Sequence, residues 1–381
     1  VKNQSRPFLI AVGAFLLTNL KWLIGILKFS KFGATLLSMI LSFGAYALFY
    51  GWKFAVALVY LIFVHELGHL IAARQKGIPT SPAIFMPFVG AFISMKEQPR
   101  DAKTEAYLAY GGPFAGLLSF LPAIPLYWYT GDPFWILVVS LGATLNLFNL
   151  LPISPLDGGR IVSVLSPKIW FFGLLGLAIL LIFSPSPMLL LILIFGLISW
   201  WNHLREGYQA ELLAYERDKL QEILAQLKLW PQMDSFGEVR AQLYFAKQSA
   251  ASHFHEKRGF TIPLLQDQTK LKREKARLDL QYAELAWNLF QAWERSPIAF
   301  NDGDPLQPLP APVLRQATEQ GEEKLQKIET DLQRLTTYYQ APARTKWKVL
   351  AAYLGLALVL SVFFLFGTEI MEFHRPALGT S

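Results

Sequence analysis

The chain has no cysteine among its 381 residues. That excludes disulfides and thiolate metal sites, and leaves imidazole and carboxylate as the metal-binding side chains. Histidine is scarce, with six copies, so an imidazole site has few possible owners. Charged residues make up 17% of the chain against 53% hydrophobic ones, a balance skewed away from that of a soluble domain. The net charge of +7 is also unevenly spread. Residues 205–346 hold 20 basic and 20 acidic side chains, and the remainder holds 15 and 8. The basic excess therefore flags the margins of apolar segments and excludes an extended nucleic-acid surface.

What the chain does have is long apolar blocks, of the length that crosses a bilayer as a helix. They lie near Phe8–Leu27, Gly33–Tyr50, Phe54–Ala73, Ala106–Tyr129, Phe134–Leu151, Ile169–Phe183, Met188–Trp201 and Lys348–Gly367. The block "GAFLLTNLKWLIGIL" lacks a small-residue cleavage site and runs into further apolar sequence, so it reads as a retained anchor. Ten flanking Lys and Arg residues fall on the side reached after the first block, among them Lys28, Arg74, Lys96, Arg160 and Lys348. Four fall on the other side: Lys2, Arg6, Lys53 and Arg375. The positive-inside rule makes the first side cytoplasmic, with both termini outside.

Between the third and fourth blocks runs "GIPTSPAIFMPFVGAFISMKEQPRD". Its apolar core, Ala83 to Met95, is too short to span, and Pro79, Pro82, Pro87 and Gly90 break a helix. The β-branched and aromatic residues there predict a β-hairpin dipping into the membrane and returning. Residues 205–346 read as helical. Leu213, Leu220, Ile223, Leu227 and Trp230 share a face, as do Leu278, Tyr282, Leu285 and Leu289, and Leu325, Ile328, Leu332, Leu335 and Tyr339. These stripes predict helix-on-helix core, and Ser296–Pro312 reads as a proline-rich connector.

The chemistry concentrates in "YLIFVHELGHLIAARQ", Tyr60 to Gln75. A charge at the centre of a membrane helix costs about 2.5–3.5 kcal/mol on insertion scales, so His65, Glu66 and His69 need a reason to be there. Residues four apart share a helix face, so both imidazoles can point at one metal ion, with Glu66 beside them as a general base. A catalytic zinc needs a third protein ligand. His203 sits at a helix end, His253 and His255 lie in the charged region, and His374 is in the tail. Glu105 and Asp132 sit at helix ends within reach of water. Asp157, in "LNLFNLLPISPLDGGRIV", is the best-placed acid, and it could also cap a helix after Pro155.

"HELGH" in an apolar helix followed by "NLLPISPLDGG" resembles both signatures of the site-2 protease family of intramembrane zinc metalloproteases. Asn149, Pro152, Asp157 and Gly158 fit the second signature without a gap, and "GGPFAG" (Gly111–Gly116) resembles the family's small-residue motif. The resemblance implies one Zn2+ per chain held by His65, His69 and Asp157. It implies Glu66 as base and then acid, and Asn149 orienting substrate or stabilising the oxyanion. It also implies a re-entrant β element after the HExxH helix. An exposed edge of that hairpin could pair with an unwound substrate by strand addition, which makes Ile84, Phe85, Phe92 and Ile93 the expected substrate-binding residues. The expected partners are a membrane protein with a transmembrane segment, the lipid bilayer, and a protein bound to the helical insert, which replaces the family's usual regulatory domains. No nucleic-acid partner is expected. The expected location is a bacterial plasma (inner) membrane, with regulated intramembrane proteolysis as the role.

The expected fold is thus an α-helical polytopic membrane protein of about eight transmembrane helices with a re-entrant β-hairpin and a helical cytoplasmic domain. Residues 1–204 form the protease core, with the HExxH helix at 54–73, the hairpin at 78–97 and the third-ligand segment at 134–160. Residues 205–346 form the helical domain, and 347–381 the last transmembrane helix and tail. A transporter would predict inverted repeats and more intramembrane charges, and neither is seen. An inactive binding module would have lost part of the ligand-and-base set, which is complete here. The charge asymmetry makes a direct prediction: a reporter fused near Gln307 reads as cytoplasmic and one at the C-terminus as external. The reverse pattern would overturn the orientation.

Overall fold

The computed structural model describes residues 33–88, 90–95, 97–230, 236–254, 266–295, 298–301, 304–310 and 312–378. The apolar block Phe8–Leu27 and His255 lie outside them. Residues up to Trp201 and from Tyr339 onward form one unit, and Asn202–Tyr338 forms a second.

In the first unit, α1 (Gly33–Tyr50) and α2 (Trp52–Gln75) follow one another closely. A hairpin of β1 (Ile84–Met86) and β2 (Gly90–Phe92) comes next. Then follow α3 (Ala102–Phe120), α4 (Ala123–Thr130), α5 (Pro133–Asn149), the short α6 (Asp157–Val162) and α7 (Ile169–Phe183). The long α8 (Pro187–Leu229) begins here, and α12 (Ala343–Leu378) closes the unit. Five helical segments are long and apolar enough to cross a membrane: α1, α2, Ala102–Thr130, α8 and α12. The apolar helices α5 and α7 are shorter. The described residues thus hold five full-length candidates and two short ones where the sequence suggested seven.

Local chemistry sets the helix ends. Asp101 caps α3 by accepting a bond from the Thr104 N–H at 2.7 Å, and Asp132 caps α5 by accepting from the Phe134 N–H at 2.9 Å. Pro133 follows Asp132 at the first helical position, where a missing N–H costs nothing. Gly131 ends α4 in the left-handed region that favours glycine. Along α2 the apolar character runs all round. Val56, Tyr60, Phe63, Leu67 and Ile71 are exposed, as a lipid-facing surface would be, while Leu61, His65, Gly68 and Ala72 are buried.

The buried face of α2 meets α3 at very short range. A Cβ on Gly111 would lie 2.7 Å from the Gly68 carbonyl oxygen, and a Cβ on Gly68 would overlap the Gly111 carbonyl. Only glycine at both positions lets the two backbones touch, the usual device of close membrane helix pairs. Around this crossing, Leu61, Ala109, Phe120, Val139, Ala143 and Leu360 form a core shared by α2, α3, α5 and α12.

The second unit is a helical assembly of residues from Asn202 of α8, α9 (Phe236–His253), α10 (Asp267–Arg295) and α11 (Pro312–Thr337). Leu220, Leu227, Trp230, Tyr282, Phe290 and Ile328 are buried in its core, with Trp230 stacked on Trp293 at 5.9 Å. Leu285 is a correction to the stripe read from the sequence. It is 44% exposed, because the buried line on α10 runs through Tyr282, Ala286, Phe290 and Trp293. The proline-rich connector is not without structure: β3 (Ile298–Asn301) pairs antiparallel with β4 (Asp304–Pro310). Polar ties cross the unit. Tyr215 donates to Asp279 at 2.7 Å, and burial together with that carboxylate pushes its phenol up from its ordinary pKa.

The crossing of α2 and α3 can be tested by size. Gly68→Val forces the backbones apart and should destabilise the protein by about 1–3 kcal/mol, the usual range for overpacking. Gly44→Val, at a position with nothing within 4 Å of its Cβ, should not. Equal melting of the two variants in detergent would remove this contact as a determinant of the fold.

Candidate metal centre

His65 and His69 stand one helical turn apart on α2, both turned towards α3. Asp157 opens α6, whose helix N-cap is Leu156. The Asp157 carboxylate does not cap the helix. It turns to the two imidazoles, with Oδ2 lying 3.1 Å from His65 Nε2 and 3.2 Å from His69 Nε2. The two Nε2 atoms are 3.1 Å apart. The three ligand atoms form a nearly equilateral triangle.

The far side of each ring fixes which nitrogen carries the proton. His69 Nδ1 is 2.8 Å from the Leu108 carbonyl, which can only accept, so Nδ1 is the donor. His65 Nδ1 is 2.8 Å from Asn146 Oδ1. The Asn146 amide orientation follows from its Nδ2 donating to the Gly142 carbonyl at 2.7 Å. His65 Nδ1 is therefore also the donor. Both Nε2 lone pairs face inward, towards each other and towards a carboxylate oxygen. Such a set repels itself unless a cation sits among the three atoms. Ligand bonds of about 2.0–2.1 Å to a tetrahedral zinc separate ligand atoms by roughly 3.3 Å, close to the observed edges. His65, His69 and Asp157 form the one group among the described residues able to hold a metal through three such side chains.

Supports surround the triangle. Arg160, one turn along α6, lies 3.7 Å from Asp157 Oδ1 and donates to Glu105 on α3 at 3.2 Å. Trp170 donates to the Gly159 carbonyl at 2.8 Å and Tyr353 to the Leu150 carbonyl at 2.7 Å, fixing the turn that delivers Asp157. Gly112 leaves the space in which the site forms: a Cβ there would overlap His69 Nε2 and lie 2.7 Å from His65 Nε2. Gly116 does the same for Asn146, whose side chain a Cβ would strike.

Glu66 is half-buried and within electrostatic reach of His65, Asp157 and Arg160. Asn149 stands apart from the triangle's contacts, with its Nδ2 donating to the Leu145 carbonyl of its own helix at 3.1 Å. The asparagine in contact with the site is Asn146, one turn earlier, which the sequence analysis did not single out. Its signal was a second amide one turn before Asn149 on a largely apolar helix. On the hairpin, Ile84 is exposed and Ile93 partly buried. Phe85, expected to face substrate, is 3% exposed and packed with Ile62 and Ala83, where its side chain supports the hairpin. The side chain of Phe92 lies outside the described residues. His203 pairs with Glu206 at 2.8 Å, and His253 bonds the Ser249 carbonyl of its own helix at 2.7 Å.

Comparison with known proteins bears on the same stretch. Residues 53–131 match the family described as Peptidase family M50. The zinc metalloprotease MJ0392 of Methanocaldococcus jannaschii is 31% identical over 159 residues, covering 38% of this chain and 44% of that protein. The Rip3 protein of Mycobacterium tuberculosis is 32% identical over 122 residues, 28% of this chain and 29% of its own length. The sll0528 protein of Synechocystis is 30% identical over 115 residues, 29% of this chain and 30% of its own. The names of the last two also carry the words zinc metalloprotease. The chain thus spans less than half the length of these relatives.

The supporting role of Asn146 can be separated from the neighbouring asparagine. Asn146→Leu should weaken zinc binding by about 10–100-fold, the cost typical of losing an outer hydrogen bond to a ligating histidine. Asn149→Leu should leave it intact. Competition with a chelator measures both, and equal affinities in the two variants would remove Asn146 from the site.

Proposed function

We propose, from a membrane core that matches the M50 peptidases, the site-2 protease family, over residues 53–131, that this protein is an intramembrane zinc metalloprotease. Its substrates are transmembrane segments of other membrane proteins, cleaved internally, as in regulated intramembrane proteolysis. The observation that carries the reading is the inward-facing triangle of His65 Nε2, His69 Nε2 and Asp157 Oδ2, built into apolar helices.

In this reading His65, His69 and Asp157 hold one zinc, which fits the donor set and the lack of cysteine. When bound, zinc supplies Lewis acidity, acidifying water and polarising the scissile carbonyl. The remaining work falls to the protein. Asn146 and the Leu108 carbonyl keep both rings in the tautomer that ligates. Arg160, braced by Glu105, holds the outer oxygen of Asp157 so that the inner one stays on the triangle. Glu66 takes the proton of the attacking water and passes it to the leaving nitrogen. Asn149 is the candidate for orienting the substrate carbonyl, and would exchange its bond to Leu145 for one to substrate.

A helical substrate hides its carbonyls in its own hydrogen bonds and must unwind to be cut. The released backbone groups need partners at membrane depth. The hairpin after α2 can offer them by strand addition, provided it lies within the membrane and one edge is open.

Glu66→Gln tests the mechanism, because it keeps the shape and removes the base. Zinc content should be unchanged, and cleavage of a model transmembrane substrate should fall by about 10²–10⁴-fold. A variant that keeps its zinc and cleaves at the parental rate would dismiss Glu66 as the base.

A further inference from the structure

Four polar side chains line one face of α1, an otherwise apolar helix: Thr35, Ser38, Ser42 and Tyr46, spaced three, four and four apart. Thr35, Ser42 and Tyr46 are buried. In an apolar helix a serine or threonine commonly satisfies itself on its own backbone. Here three of the four reach the hairpin. Thr35 Oγ1 donates to the Ala83 carbonyl at 2.6 Å, Ser38 Oγ accepts from the Phe85 N–H at 3.0 Å, and Tyr46 OH accepts from the Phe88 N–H at 3.0 Å. The Ser42 hydroxyl is buried with no hydrogen-bond partner among the described residues, which an apolar residue would have avoided.

The register says which edge is being held. Ile84 pairs with Phe92, Phe85 with Ala91 and Met86 with Gly90. Backbone groups of alternate residues point to opposite sides of a strand in the plane of the sheet. Because the Phe85 N–H and the Ala83 carbonyl point to α1, Ile84 and Met86 point to β2. On β2, Gly90 and Phe92 then face β1, and Ala91 and Ile93 present their backbone groups on the far edge. Among the described residues no hydrogen bond reaches the N–H or C=O of Ala91 or Ile93 on that edge. The turn is held from the same helix. Phe88 has a φ of 64°, costly for a bulky residue, and its ring meets those of Tyr46 at 5.3 Å and Phe49 at 5.5 Å.

We propose that α1 serves as a fixed surrogate strand: its hydroxyl stripe closes the β1 edge, so that an extended substrate segment can add only to β2, on the backbone of Ala91 and Ile93. Thr35, Ser38 and Tyr46 are positioning residues, since they act on substrate through the hairpin. This inference rests on the strand-addition reading above and names the edge that carries it. An unsatisfied edge is a template for a further strand, and a sheet with both edges open would accept substrate in two places. Closing one edge leaves the substrate a single path relative to the metal centre.

The absence of cysteine makes the test clean. Full-length protein with Glu66→Gln, to hold substrate uncut, carries a single cysteine at Phe92 on β2 or at Ile84 on β1, and a model transmembrane substrate carries one cysteine scanned through its cleavage region. Neighbouring strands are about 4.8 Å apart, so a strand beyond β2 lies within disulfide reach of β2 and about twice as far from β1. Disulfides should form with Phe92→Cys and not with Ile84→Cys. Equal cross-linking to both would overturn the closed edge while leaving strand addition standing, and cross-linking to neither would overturn both. In the active protein, Thr35→Val with Ser38→Ala should raise KM about tenfold with kcat and zinc content held, and Thr35→Ser with Ser38→Thr should restore it. A stripe that only stabilises the fold would instead lower the melting point and the active fraction with KM unchanged, and that result would overturn the positioning role.

Discussion

Two imidazole nitrogens and a carboxylate oxygen, each within 3.2 Å of the other two, repel one another in an apolar interior unless a metal ion or a proton sits among them. The surrounding chain is organised around that constraint. Glycines at positions 68 and 111 bring α2 and α3 into backbone contact, and Gly112 leaves the volume that the ring nitrogens need. Asn146 and the Leu108 carbonyl hold the rings, and the Arg160–Glu105 pair holds the carboxylate. The supports are drawn from four elements, so the site forms only when α2, α3, α5 and α6 are all packed.

The same economy governs the turn that carries Asp157. Gly158 and Gly159 lie where a Cβ would strike the Leu150 and Ile153 carbonyls, so the chain folds tightly enough to aim the carboxylate at α2. Tyr353 and Trp170 satisfy backbone carbonyls of that turn which would otherwise be stranded in apolar surroundings. The hairpin is treated in the same way, with side-chain hydroxyls of α1 standing in for a neighbouring strand. Backbone polarity that regular structure does not absorb is met here by individually placed side chains.

Much of this was legible in the sequence. The four-residue spacing of His65 and His69, the isolated Asp157 and the proline-broken Ala83–Met95 stretch each stood out against apolar surroundings. The blocks Gly33–Tyr50 and Ile169–Phe183 match helices to the residue, whereas the block Ala106–Tyr129 holds two helices, α3 and α4. What escaped were the consequences of three-dimensional approach. Asn146 and Asn149 are equivalent as isolated residues, and only the packing of α5 against α2 decides which one meets His65. Phe85 alternates with exposed neighbours, and the side it takes depends on how the hairpin lies on α2. The hydroxyls of α1 read as tolerated polar residues until the hairpin gives them partners. Leu285 fitted a four-three-four stripe, but the buried face of α10 drifts past it to Ala286.

The central claim is that His65, His69 and Asp157 hold one zinc. The most direct measurement is zinc per chain in purified native protein and in Asp157→Ala, with zinc-edge X-ray absorption on the native form. The account predicts one zinc per chain in the native protein, a first shell that includes two imidazole nitrogens at about 2.0–2.1 Å, and a large loss of zinc in the variant. Full zinc occupancy in Asp157→Ala, or a native first shell without two imidazoles, would contradict it.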